Sequence, residues 1–170
     1  MRILVGSVPV IANAQPVLIA PTLEGLANED VLVVVATGGR APDSLGLSTV
    51  PRNARIGTFL SYPELLPKTS VMVTHGGYGG VQMTLAHGVP VVVAGTSEDK
   101  PEVATRVAGS GAGINLKTAV PKPEQVRGAV KALIDEARYR ERARTLAAEY
   151  ARYDAVPLAV ETIESLGAHP

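Results

Sequence analysis

Cysteine and tryptophan are absent from this chain, phenylalanine occurs once, and neither sign of charge is in excess. Without cysteine there is no disulfide framework, no thiol nucleophile and no thiolate-held metal. The 16 basic residues balance the 16 acidic ones. This argues against a nucleic-acid surface, which normally shows as a basic excess, and leaves a local anion site open. His75, His87 and His169 are too scattered for a metal cluster. No apolar run approaches the roughly 18 residues needed to cross a bilayer, and the N-terminus lacks a signal-peptide pattern. A soluble, cytoplasmic protein is the expectation. With aromatics at 4%, its core has to be aliphatic.

What is present is an apolar content of 46% over 170 residues, enough for one ordinary domain with a packed interior. Apolar, β-branched runs alternate with helical stretches. Strands are predicted at 2–7, 30–37, 54–59, 70–75, 89–95 and 112–116, and helices at 16–28, 62–67, 78–87, 99–110, 123–135, 137–151 and 156–167. The unbroken run Val31–Ala36 suits a strand buried on both faces, as in a parallel sheet. The alternation predicts an α/β fold: a Rossmann-like, doubly wound parallel sheet of about six strands flanked by helices. No linker or long repeat divides residues 1–170.

The stretch "THGGYGG" (74–80) follows the fourth strand and opens a helix. Ligands in open parallel sheets bind at the carboxyl ends of strands, and a helix start presents unpaired N–H groups to an anion. Gly76, Gly77, Gly79 and Gly80 let backbone approach a phosphate without a Cβ in the way, and His75 is placed to donate to it. The alternative is a tight strand-to-helix turn packed on a neighbouring helix. Gly88 supplies a natural end for that helix. The pattern is neither GxGxxG with a downstream acid nor GxxxxGK[ST].

Other loops fall at the same edge. "SEDKPE" (97–102) reads as a helix start in which Asp99 and Glu102 fit a capping box and Pro101 the first turn. The functional alternative has Asp99 accepting from sugar hydroxyls and Lys100 adding charge to a phosphate. Gly6-Ser7 closes the first strand. Phe59 follows the third strand, where spacing alone reads it as core and the alternative is stacking on a base. His87 reads as a capping residue, the row Arg138, Arg140, Arg142 and Arg144 as a solvated face, and Tyr139, Tyr150 and Tyr153 as helix-packing residues.

Together, "FLSYPELLPKTSVMVTHGGYGG", "LAHGVPVVVAGTSEDKPEVATRV" and "GAGINL" resemble the C-terminal, donor-binding domain of the two-domain glycosyltransferase B fold. The similarity is to the nucleotide-sugar-dependent family of macrolide, natural-product and UDP-sugar glycosyltransferases. It extends over nearly the whole chain. The resemblance implies that His75, Gly76, Gly77, Gly79 and Gly80 hold the donor diphosphate. It further implies that Ser7, Phe59, Leu60 and Tyr62 line the base and ribose site, and that Asp99 and Lys100 contact the donor sugar. No metal or other cofactor is implied, only a UDP- or dTDP-sugar donor.

Three positions depart from the family pattern. Gly80 replaces a phosphate-binding Ser or Thr, Met83 a ribose-binding Glu, and Lys100 a Gln. Gln82 is a candidate to take over the ribose contact. The family's N-terminal acceptor domain, with its catalytic histidine, has no counterpart in these residues. The resemblance therefore implies an isolated donor-binding domain, inactive alone, with its acceptor domain either excised or supplied as a separate chain. In the segment 154–167 the apolar Val156, Ala159, Val160, Ile163 and Leu166 have helical spacing, and the resemblance implies that this helix crosses back to the N-terminal domain. A non-enzymatic nucleotide-sugar-binding domain and a ligand-free structural domain are the other readings.

Overall fold

The computed structural model describes residues 2–7, 17–47, 49–153 and 155–167. Six parallel strands, β1 (Arg2–Ser7), β2 (Val31–Ala36), β3 (Ala54–Gly57), β4 (Thr69–Thr74), β5 (Val91–Val93) and β6 (Gly113–Asn115), pair in the order β3-β2-β1-β4-β5-β6. The helices are α1 (Ile19–Leu26), α2 (Tyr62–Leu65), α3 (Tyr78–Ala86), α4 (Lys100–Ser110), α5 (Pro123–Asp135), α6 (Ala137–Tyr150) and α7 (Ala155–Gly167). This is the doubly wound α/β fold that the alternation of apolar runs predicts. Most elements differ from the sequence expectation by a residue or two at each end. The exception is the first helix, expected over 16–28, which begins at Ile19; residue 16 lies outside the described residues, as does residue 154 of the expected C-terminal segment.

Side chains alternate across each strand, and here both faces are covered. Val71 and Val73 of β4 and Val92 of β5 enter one core with Val33, Val35, Leu23, Leu26, Val126 and Leu133, from β2, α1 and α5. Met72, Val91 and Val93 point the other way, into a core with Val81, Leu85, Val103, Val107 and Ala143, from α3, α4 and α6. The two cores are aliphatic almost throughout, as the scarcity of aromatics requires. Chain direction follows from the two layers: β1 feeds α1 on one face, whereas β4 and β5 feed α3 and α4 on the other.

Two arginines of α6, expected to be solvated, are structural. Arg140 donates to the Ser70 carbonyl at 2.7 Å, and Arg142 to that of Ser110 at 2.8 Å. Their stems reach over the sheet edge and the end of α4, which sequence spacing along one helix cannot show. Tyr139 does pack half-buried against the first core, but Tyr153 is exposed. Val156, Leu158, Val160, Ile163 and Leu166 of α7 are all exposed as well.

Leu133→Ala empties a site that is 2% exposed and is expected to lower stability by about 2–5 kcal/mol. Ile163→Ser, on the exposed face of α7, is expected to change it by no more than about 0.5 kcal/mol. Urea denaturation of both variants checks the contrast.

Candidate functional site

All six strands run the same way, so their carboxyl ends share one edge, and the winding reverses between β1 and β4. The helices that follow these two strands, α1 and α3, pack on opposite faces of the sheet, and the carboxyl edge at such a reversal is where open α/β sheets bind ligands. Ser7 ends β1, paired with Ala36, and His75 follows β4. The sequence-predicted residues Phe59, His75, Asp99 and Lys100 all follow the carboxyl ends of strands, so the topology brings them to this edge.

The turn after β4 is built on close backbone approach. Gly76 has φ +91°, a conformation that L side chains rarely adopt, and its N–H donates to the Thr74 hydroxyl at 3.3 Å. A Cβ there would lie 2.6 Å from Val93 Cγ1. Across the turn, a Cβ at Gly95 would lie 2.0 Å from the His75 carbonyl oxygen, so the loops after β4 and β5 touch main chain to main chain. His75 is buried between them, at 8% exposure.

Gly77, Gly79 and Gly80 are different. A Cβ added at any of them meets nothing within 4 Å. Gly77 precedes α3 and its carbonyl accepts the first helical bond, from the Val81 N–H at 3.1 Å. Residues 78–80 therefore form the first turn, whose N–H groups have no partner within the helix. Each glycine inside a helix is disfavoured by about 1 kcal/mol relative to alanine. No internal packing compensates for this at Gly79 and Gly80, and with Gly77 at the cap they leave bare, positively polarised backbone. At its other end α3 closes with His87 as cap and Gly88 in the left-handed region; Gly88 and Val89 donate to the Leu85 and Thr84 carbonyls. The His87 ring adds a contact from Nδ1 to the Met83 carbonyl at 2.8 Å.

Lys100 opens α4 and is 6% exposed. Its stem lies on Gly95, with Cδ 3.0 Å from a Cβ there, and its Cβ is 3.8 Å from the corresponding position at Gly76. The ammonium pairs with Glu98. Lysine and the His75–Gly76 turn thus form one wall. The expected capping box does not form: Asp99 has helical dihedrals and makes no side-chain cap bond, so its carboxylate stays exposed and Glu102 pairs with Arg106 instead.

Phe59 is 84% exposed, which corrects the reading of it as core. The chain turns back directly after it, and the Leu60 side chain covers Gly57. Tyr62 is half-buried against the second core. On α3, Met83 is exposed, while the Gln82 amide oxygen accepts from the Tyr150 hydroxyl of α6. Gln82 is thereby turned toward α6. The two residues stand 68 positions apart, and no local pattern announces their contact. Partial burial, and then the neighbouring Tyr78, push the Tyr150 hydroxyl above its ordinary value. Among the described residues no cluster of histidine and acidic side chains could hold a metal ion, and no helix is long and apolar enough to cross a membrane. A cavity of about 330 Å³, lined by Leu26, Asp30, Arg127 and Lys131 among others, lies at the amino end of β2, away from these loops.

Residues 20–167 match the model of the erythromycin biosynthesis protein CIII-like C-terminal domain. The chain is 49% identical over 156 residues to 4'-demethylrebeccamycin synthase of Lentzea aerocolonigenes, covering 92% of this chain and 36% of that protein. It is 41% identical to UDP-glucosyltransferase A1 of Starmerella bombicola, covering 89% of this chain and 33% of that one. The crystal structure of the kitacinnamycin glycosyltransferase superposes with a TM-score of 0.85 at 29% identity, over 97% of this chain and 43% of that chain. The chain spans about a third of the length of the curated relatives it matches.

Gly76→Ala should destabilise the fold by about 1–3 kcal/mol through backbone strain. Gly79→Ala should stabilise it by about 0.4–1 kcal/mol, and thermal unfolding separates the two. The raised Tyr150 titration means that its stabilisation is complete below the unfolded value near pH 10 and is lost as pH rises through the higher folded value. Stability should therefore fall less steeply above about pH 10 in Tyr150→Phe than in the parent, measured by urea titration at several alkaline pH values.

Proposed function

The chain belongs to the family of the erythromycin biosynthesis protein CIII-like C-terminal domain and is a glycosyltransferase C-terminal domain; we propose that it binds the nucleotide-diphosphate sugar of an inverting enzyme. That enzyme moves a sugar from a UDP- or dTDP-sugar to an acceptor hydroxyl. The observation that carries this reading is the trio Gly77, Gly79 and Gly80: three glycines with open space around them, gathered at one helix start on the carboxyl edge of the sheet, where bare backbone N–H groups suit an anion. A diphosphate seated there receives N–H donors from the first turn of α3 and the positive end of its dipole. His75, buried beside it, donates to the same group.

The pieces divide the donor among them. The α3 turn and His75 take the diphosphate and stabilise the negative charge that develops on it as the sugar leaves. Phe59 stacks on the base, Leu60 meets the base edge through its backbone, and Ser7 and Tyr62 complete the nucleoside site. Met83 lies where a ribose contact is needed and offers only an apolar one, and Gln82 is engaged with Tyr150. Ribose recognition is accordingly weak. Asp99, uncapped and exposed, accepts from sugar hydroxyls, and Lys100 brings a cation to the same wall.

Acceptor binding and the base that deprotonates the acceptor hydroxyl belong to a further domain. The exposed residues Val156, Val160, Ile163 and Leu166, at helical spacing on α7, support an interface with it, since exposed apolar surface marks an interaction site. That domain is joined in the same polypeptide or held as a second chain. The domain alone is expected to bind donor and transfer no sugar.

Calorimetric titration with UDP, dTDP and UDP-glucose tests the site, and absence of heat at millimolar ligand would sink it. His75→Ala should weaken UDP about tenfold, in keeping with loss of one charge-assisted hydrogen bond, and leave uridine unaffected. Gly79→Ala and Gly80→Ala should weaken UDP while raising the melting temperature. A structural turn that met no ligand would show only the second effect.

A further inference from the structure

Phe59 stands on a tether held by a second glycine turn, the one that follows β2. Beyond the last β2–β3 pair, Ala36 with Gly57, the two chains stay together. The Thr37 N–H donates to the Gly57 carbonyl at 3.0 Å, and the Gly39 N–H to the Thr58 carbonyl at 2.6 Å. Gly39 reaches that carbonyl with φ +89°. Thr37 is 1% exposed; its hydroxyl donates to the Arg40 carbonyl, closing the turn, and lies 3.4 Å from the Thr58 carbonyl. On the other side of Phe59, the Leu60 side chain folds back onto Gly57. The peptide that carries Phe59 is thus gripped from both sides while its ring is 84% exposed. A free surface phenylalanine needs no such grip.

We propose that the Thr37–Gly39 turn is a positioning element for the nucleotide base: it holds the Thr58–Phe59 peptide so that the Phe59 ring is oriented before ligand arrives. The inference rests on the reading of Phe59 as the base-stacking residue. A ring held in place gives up little motional freedom on binding, and loosening such a side chain is expected to weaken affinity about five- to tenfold. The loss falls on ligands that carry a base. Inorganic pyrophosphate, which uses the α3 turn, is unaffected.

Phe59→Trp places a single tryptophan in a chain that has none, so its fluorescence anisotropy reports the tether with no ligand present. In that background Gly39→Ala and Thr37→Val are expected to lower the residual anisotropy of Trp at 59. They should weaken UDP about five- to tenfold and leave pyrophosphate within about twofold, while Thr37→Ser, which restores the hydroxyl, returns both readouts toward the parent. Unchanged anisotropy in both variants, or equal weakening of UDP and pyrophosphate, overturns the proposal and leaves the base-stacking reading standing. Phe59→Ala that binds UDP as tightly as the parent overturns both.

Discussion

Everything at the candidate site depends on the main-chain contact between the loops after β4 and β5. Gly95 lets the His75 carbonyl come within a distance at which no Cβ fits, and Gly76 does the same for Val93. These strands are buried on both faces, with Val71, Val73, Val91, Val92 and Val93 at 0% exposure. Their side chains are committed to packing, so polar chemistry has only the strand ends to occupy. The close contact brings those ends together. It buries His75 and lays the Lys100 stem on Gly95.

α3 is held firmly everywhere except where it offers its N–H groups. Its far end closes with two backbone bonds from Gly88 and Val89, and Tyr150 fastens Gln82 to α6. α6 is in turn anchored by Arg140 and Arg142 to the carbonyls of Ser70 and Ser110. Against this support the first turn carries glycines that lower helix stability and meet no neighbour. The contrast between a pinned body and a bare first turn is the expected form of a site that trades stability for close approach of an anion. The departures at Gly80 and Met83 fit the same pattern: they take away polar side-chain groups and leave the backbone donors in place. In the proposal above, the glycine turn after β2 performs a parallel service for Phe59, through main-chain bonds and the Thr37 hydroxyl.

α7 leaves a row of apolar side chains exposed. Val156, Val160, Ile163 and Leu166, at helical spacing, stand exposed, whereas the helices flanking the sheet bury their equivalents. Curated relatives extend to about three times the matched length, which accords with a surface that meets more protein. In the function proposed here, the nucleotide lies at one sheet edge and the acceptor chemistry is completed from outside it.

The doubly wound fold was legible because its signals are local. β-branched runs, helical periodicity, and punctuation by Gly and Pro each depend on a few neighbouring residues. The helix at Pro123–Asp135 matches its expected bounds for that reason. The candidate diphosphate turn was legible too, since strand, glycines and helix are contiguous. Contacts between residues far apart in the chain were not. Arg142 with Ser110, Tyr150 with Gln82, and Gly39 with Thr58 depend on packing that no periodicity encodes. The exposure of Phe59 and the failure of the Asp99 cap needed tertiary structure for a related reason: a spacing rule states which residues share a face, but only the folded chain decides what lies opposite it. By itself the sequence determined the order of elements and the place of the glycine-rich strand-to-helix turn, through short-range sterics and apolar pattern. The tertiary structure alone decided which glycines are demanded by packing and which stand open, because that depends on atoms brought in from distant strands.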